Sequence, residues 1–269
     1  MMSQTVNDFF ERLWGQYIEI TPSAKKIHRL LGKGDKIIND HVAFRTFNLP
    51  TINLDVLSQF FIDMGYQEKG QYEFKAKKLN AKHFEHSDYR LPKIFISELK
   101  LELCSEKLNS IVNQCVSQIE NKALDNHSFM YSGRHWNVSY QDYITLLEES
   151  EYAAWLAAFG FRANHFTVSV NHLVGYMTLS EVNQVLKDNQ FILNSAGGEI
   201  KGSPEVMLEQ SSTLADKCLI DFIDLKKAIP ACFYEFAYRY PQPDGSLYQG
   251  FVEASADKIF ESTHSGAGD

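Results

Sequence analysis

A histidine and an arginine stand four residues apart in "NDHVAFRTF", residues 39–47. In an extended chain, side chains two apart share a face, so His41, Ala43, Arg45 and Phe47 point one way and Val42, Phe44 and Thr46 the other. An imidazole can ligate a metal or move a proton, and a guanidinium about 7 Å farther along the same face can hold a carboxylate through two parallel hydrogen bonds. The stretch also reads as a sheet edge at which both groups meet solvent or a carboxylate. A second segment bears on that choice. "NHFTVSVN", residues 164–171, alternates in the same way and sets His165, Thr167, Ser169 and Asn171 on one face. A third, "CFYEFAY", centres Glu235 among apolar neighbours, where a carboxylate is costly unless it is paired or coordinated.

The elements that must position these groups repeat. Residues 1–32 read as helices, with a stripe of Phe9, Phe10, Leu13, Trp14 and Tyr17, Pro22 near a helix start and Gly32 as a stop. After the His41 strand comes a helix with Leu54, Leu57, Phe61 and Met64 on one side, Asn53 as its cap and Gly65 as its terminator. Three strands follow, in "QYEFKAKKL", "AKHFEHSDY" and "KIFISELKLEL". Residues 105–160 turn helical and end at Gly160. The order then recurs: the His165 strand, a helix opened by a Thr178–Glu181 capping box, and strand-like "FILNSAGGEIKG", "EVMLEQSSTLAD" and "ACFYEFAYRY". His41 precedes Tyr66 by 25 residues and His165 precedes Phe191 by 26, as expected of an internal duplication. The expected fold is α+β: two βαβββ modules forming a curved sheet around a central cavity, with extra helices. Its parts are N-terminal helices over 1–32, a first module over 33–104, a helical insertion over 105–160, and a second module with a C-terminal tail over 161–269, together one catalytic unit.

If the first strands of two such modules lie side by side and each last strand lies near its own first, then His41, His165 and Glu235 converge. Two imidazoles and one carboxylate on one side of an ion form the facial triad of non-haem Fe(II) oxygenases, and Mn, Zn, Co or Ni accept the same donors. Arg45 would then face a substrate carboxylate; the alternative is an ion pair with Glu98 or Glu235. Glu98, read as the first module's counterpart of Glu235, is either a fourth ligand, as in zinc or nickel isomerases of related architecture, or, as favoured here, a support or ion-pair residue. His83 and His86 are expected in solvent, and His135 and His172 in ordinary polar turns. "SAGGEIKG" joins no strand to a helix in a phosphate-binding pattern and reads as a hairpin or mobile loop.

The bulk numbers narrow the class. With 34 acidic and 26 basic residues among 269, the formal charge is −8, which argues against nucleic acid or an anionic membrane as the main partner. No apolar run approaches the ~20 residues that cross a bilayer, and the N-terminus lacks a basic and apolar leader, so a soluble, cytoplasmic protein is expected. The four cysteines are scattered without a close pair and are expected reduced and mostly buried.

Taken together, "NDHVAFRTF", "FRANHFTVSVN", "FYEFAYRYP" and the tail "GFVEASADKIFEST" resemble the 2-oxoadipate dioxygenase/decarboxylase family, whose fold is akin to the vicinal oxygen chelate superfamily. The resemblance runs over most of the chain. It implies Fe(II) held by His41, His165 and Glu235, a substrate contact from Arg45, and a reaction that turns 2-oxoadipate and O2 into 2-hydroxyglutarate and CO2 in lysine breakdown. The partners would be a small 2-oxo dicarboxylic acid and O2. Two rivals use the same scaffold: a Zn- or Ni-dependent isomerase or hydrolase with Glu98 as a ligand, and a binding module without catalysis. The sequence leaves the oligomeric state open.

Overall fold

The duplication read from the two histidine strands is laid out in one eight-stranded sheet. The computed structural model describes residues 5–253; residues 1–4 lie outside the described residues, as do residues 254–269, which carry most of the tail motif. In chain order the elements begin with α1 (Val6–Ile20) and α2 (Pro22–Gly32). The first module follows as β1 (Asn39–Phe47), α3 (Leu54–Ile62), β2 (Gln67–Phe74), β3 (Leu79–Glu85) and β4 (Lys93–Leu99). Next come α4 (Glu106–Val116), α5 (Tyr140–Glu149) and α6 (Glu151–Phe159). The second half is β5 (His165–Ser169), α7 (Leu179–Asp188), β6 (Lys201–Ser203), β7 (Leu208–Ser212), β8 (Lys217–Asp221), β9 (Lys226–Pro230) and β10 (Phe233–Arg239).

Strand order in the sheet is β2-β3-β4-β1-β5-β10-β7-β6. The two halves meet where β1 pairs antiparallel with β5, while each first strand pairs parallel with its own last strand, β1 with β4 and β5 with β10. This is the paired βαβββ arrangement of a vicinal oxygen chelate-like fold. It also removes the edge reading of "NDHVAFRTF", because β1 is central and its residues 40–47 are all buried. A strand covered on both faces is apolar almost throughout, so the charged groups it carries must be satisfied inside the protein.

The helices explain which face is which. Asn53 caps α3 by accepting from the Val56 amide, and the Thr178–Glu181 capping box opens α7. The α1 stripe of Phe9, Leu13 and Tyr17 is fully buried. Trp14 lies 5.0 Å from the Phe166 ring and 5.8 Å from the Tyr234 ring, so α1 covers the side of β5 and β10 opposite His165 and Glu235. The helical insertion packs on the same body: Trp155 of α6 donates to the Ala231 carbonyl at 2.6 Å, and Tyr152 donates to the Ser97 carbonyl at 2.6 Å.

Two expectations for the second half change. "FILNSAGGEIKG" forms strand only at Lys201–Ser203, apart from a lone Leu193–Thr213 bridge, since Gly197 and Gly198 both take positive φ. The β8–β9 hairpin was not anticipated; it pairs Lys217–Asp221 with Lys226–Pro230 as a separate two-stranded sheet.

Candidate metal centre

Register places the three candidate ligands. His41 faces Thr167 across the β1–β5 pair, His165 faces Ala43, and Glu235 on β10 faces Thr167 on β5. All three therefore point to one face of adjacent strands, and one donor atom of each lies within 4.8 Å of the others. Glu235 Oε2 is 3.1 Å from His165 Nε2, and Oε1 is 3.7 Å from His41 Nε2. The carboxylate is fully buried and the histidines nearly so.

Each group is aimed by a neighbour. Asp40 Oδ1 accepts from His41 Nδ1 at 2.8 Å, and Asn164 Oδ1 accepts from His165 Nδ1 at 3.0 Å. An irregular register between Asn39 and His41 marks a bulge at Asp40, which turns it beside its own neighbour's ring. Arg239 holds Asp40 with two bonds, Nε to Oδ2 at 2.6 Å and Nη2 to Oδ1 at 2.8 Å. Burial alone would raise the Asp40 pKa, but Arg239 and Lys93 hold it well below the usual carboxylate range. Gln210 donates to Glu235 Oε1 at 2.6 Å.

These bonds decide what the cavity wants. With both Nδ1–H groups spent on acceptors, each Nε2 presents a lone pair inward. Burial lowers the His165 pKa, so the ring is neutral near pH 7. Burial pushes the Glu235 carboxyl up, but His165 and His41 together outweigh it and leave the pKa lowered, so it is ionised. His41 Nε2 accepts from Thr167 Oγ1 at 3.1 Å, whereas Glu235 Oε2 has no hydrogen-bond partner and faces the His165 lone pair. Two acceptors at 3.1 Å, fully buried, need a proton or a metal ion between them. The residues fit a metal ion: two neutral imidazoles, one carboxylate, and a second layer that fixes their orientation. The enclosed space is about 20 Å³, room for one water-sized body.

Arg45 and Glu98 differ from expectation in part. Arg45 lines the same cavity, 3% exposed, but its Nη1 donates to Glu151 of α6 at 3.0 Å, so its carboxylate partner is neither Glu98 nor Glu235. The guanidinium also lies 4.8 Å from the Tyr152 ring and 5.1 Å from the Trp155 ring. Glu98 is not the counterpart of Glu235. Ala43 faces Phe95 as Thr167 faces Glu235, so Phe95 occupies the equivalent place. Glu98 sits on the other side of β4 and accepts from the Leu54 amide at 2.8 Å, at the start of α3. No fourth carboxylate reaches the triad from that strand.

Of the remaining histidines, His83 is buried rather than solvated, bonded to Tyr72 Oη at 2.8 Å and to Glu85 at 3.0 Å. His86 accepts from the Asp88 amide; His135 and His172 make local bonds to Ser132 and Ser169. The supporting residues Asp40, Asn164, Gln210 and Arg239 were missed. One signal was available: each histidine strand carries an Asp or Asn immediately before its histidine. Phe251 was missed as well. Its ring caps the cavity, 4.8 Å from His41 and 4.9 Å from Phe95.

Residues 6–245 match the family model described as 2-oxoadipate dioxygenase/decarboxylase. The chain belongs to the 2-oxoadipate dioxygenase/decarboxylase family. A rice 2-oxoadipate dioxygenase/decarboxylase is 37% identical over 92% of this chain and 75% of its own length. The crystal structure of a rice hydroxyglutarate synthase in complex with 2-oxoadipate is similar at 35% identity and TM-score 0.87, covering 95% of this chain and 90% of that one. A Shewanella frigidimarina crystal structure, named only as a candidate hydrolase, is 54% identical with TM-score 0.91 and covers 94% of this chain and all of that one. No helix among the described residues is long and apolar enough to cross a membrane.

Proposed function

We propose that the chain is a metal-dependent dioxygenase that converts 2-oxoadipate and O2 into 2-hydroxyglutarate and CO2, with His41, His165 and Glu235 holding Fe(II). The observation that carries the reading is the unbonded, fully buried Glu235 Oε2 facing the lone pair of His165 inside a chain of this family. Ferrous iron bound there would relay electrons from the 2-oxo acid to O2. The reaction balances: the acid loses its C1 carboxylate as CO2, and both atoms of O2 end in 2-hydroxyglutarate, one in the new carboxylate and one in the hydroxyl group.

The chain's own residues do the rest. Asp40 and Asn164 keep both imidazoles in the tautomer that presents Nε2, and Gln210 fixes the carboxylate. Arg45, on the cavity wall, binds a carboxylate of the substrate and sets its orientation; Glu151, Tyr152 and Trp155 hold the guanidinium in place meanwhile. Phe95 and Phe251 line the space and exclude water. A six-carbon acid exceeds about 20 Å³, so it enters as the Phe251 ring moves aside.

The zinc or nickel isomerase rival required Glu98 as a ligand, and Phe95 stands in that place. An oxygen electrode separates the hydrolase reading from this one. Protein loaded with ferrous iron under argon consumes O2 on addition of 2-oxoadipate and forms 2-hydroxyglutarate in equal amount. Absence of O2 uptake with every 2-oxo acid of a panel, in protein carrying one iron per chain, overturns the proposal.

A further inference from the structure

On the far side of Asp40 from the triad, the concave face holds a second cavity of about 330 Å³, within the range of small-molecule sites. Its lining shares no residue with the triad cavity. Lys93 is the charged group that sets its character. It faces His41 across the β1–β4 pair and so projects from the same side of the sheet. Burial pushes its pKa down, against the attraction of Asp40 and Glu85. Among the described residues its ammonium makes no hydrogen bond or ion pair, although it carries three donors.

Among the other charges lining the cavity, Arg239 and Asp40 neutralise each other through two bonds, and Glu85 is hydrogen-bonded to His83. His86 and His172 add imidazoles at the rim, and Leu91 and Leu247 add apolar wall. A half-enclosed ammonium with no hydrogen-bond partner, beside a short apolar surface, is complementary to one anionic head on a short carbon chain.

We infer that this cavity binds a small carboxylic acid anion, with its carboxylate on Lys93 Nζ and its carbon chain against Leu91 and Leu247. The site is separate from the metal centre and does not depend on the reaction proposed above. Asp40 is the wall the two share, since it lines this cavity and bonds His41.

Titration calorimetry with butyrate on chelator-treated protein tests the assignment. The parent protein binds butyrate saturably, Lys93→Met weakens it about tenfold to a hundredfold, and Lys93→Arg restores it. Glu235→Gln, which alters only the other cavity, leaves the affinity as in the parent. Inorganic phosphate binds about tenfold more weakly than butyrate because it cannot use the apolar wall. Amide NMR shifts on the unaltered protein give the same answer without a variant: butyrate moves the Lys93, His86 and His172 signals and leaves those of His165 and Glu235. No saturable binding, equal affinity in Lys93→Met, loss in Glu235→Gln, phosphate as tight as butyrate, or shifts confined to the triad each overturns it.

Discussion

Replacing Glu235 by glutamine moves the stability of the metal-free and metal-loaded proteins in opposite directions. Glu235 Oε2 is buried, unbonded and 3.1 Å from His165 Nε2. An amide nitrogen at that position donates to His165 Nε2, while the retained oxygen still accepts from Gln210. Satisfying a buried polar group left unpaired is worth about 1–3 kcal/mol. For a chain of this length each kcal/mol shifts the melting temperature by roughly 2–4 °C, so Glu235→Gln in chelator melts about 5 °C higher than the parent. The opposite effect appears on adding ferrous iron under argon. At a hundred times its dissociation constant, the ion stabilises the parent by about 2.7 kcal/mol, or roughly 5–10 °C, and the variant not at all. Differential scanning calorimetry in both conditions reads all four values. If the variant melts below the parent in chelator, the carboxylate was already well bonded and the argument for a missing cation fails.

Three further predictions follow from neighbouring groups. Arg45→Lys keeps the charge but loses the planar fork, so KM for 2-oxoadipate rises about tenfold or more while metal content stays at the parent level; an unchanged KM would remove Arg45 from the substrate site. Asp40→Asn leaves Arg239 buried without its counter-charge and lowers unfolding stability by about 3 kcal/mol, read as a lower urea midpoint at constant slope. Acid weakens the metal-free fold: His165 and Glu235 both have lowered pKa values, so the unfolded chain binds more protons below their ordinary values of 6.5 and 4.5. Stability contributed by His165 is complete above about pH 6.5 and is lost as pH falls through its lower folded value; that of Glu235 is lost in the same sense below about 4.5. Urea midpoints measured from pH 7 to 4 fall in the parent and fall less in His165→Gln; parallel curves would contradict the assignment.

What could be read in advance was whatever rests on period and repetition. The alternation around His41 and His165, the caps Asn53 and Thr178, and the near-equal histidine-to-helix-end spacings are local signals, and they were enough to bring three distant side chains into one cavity. Register was not legible. Glu98 looks like the mate of Glu235 in sequence, yet counting along the β1–β4 pair puts Phe95 in that place, and a shift of even one residue sends a strand's side chain to the other face. Partners supplied by tertiary packing were equally hidden: nothing near Arg45 in the chain points to Glu151, 106 residues later, nor from Asp40 to Arg239, 199 residues later. The β8–β9 hairpin escaped because its two short strands bury a single residue, Ile229, while Leu219 is 65% exposed, so they lack the burial pattern that marks a core strand.

The central claim is that one cation is shared by three residues from β1, β5 and β10. Elemental analysis of protein reconstituted with ferrous iron under argon and freed of excess ion tests it directly, on the parent and on His41→Ala, His165→Ala and Glu235→Ala. The account predicts one iron per parent chain and little or none in any of the three variants, each still folded by circular dichroism. One iron per chain retained in all three would place the metal elsewhere and contradict it.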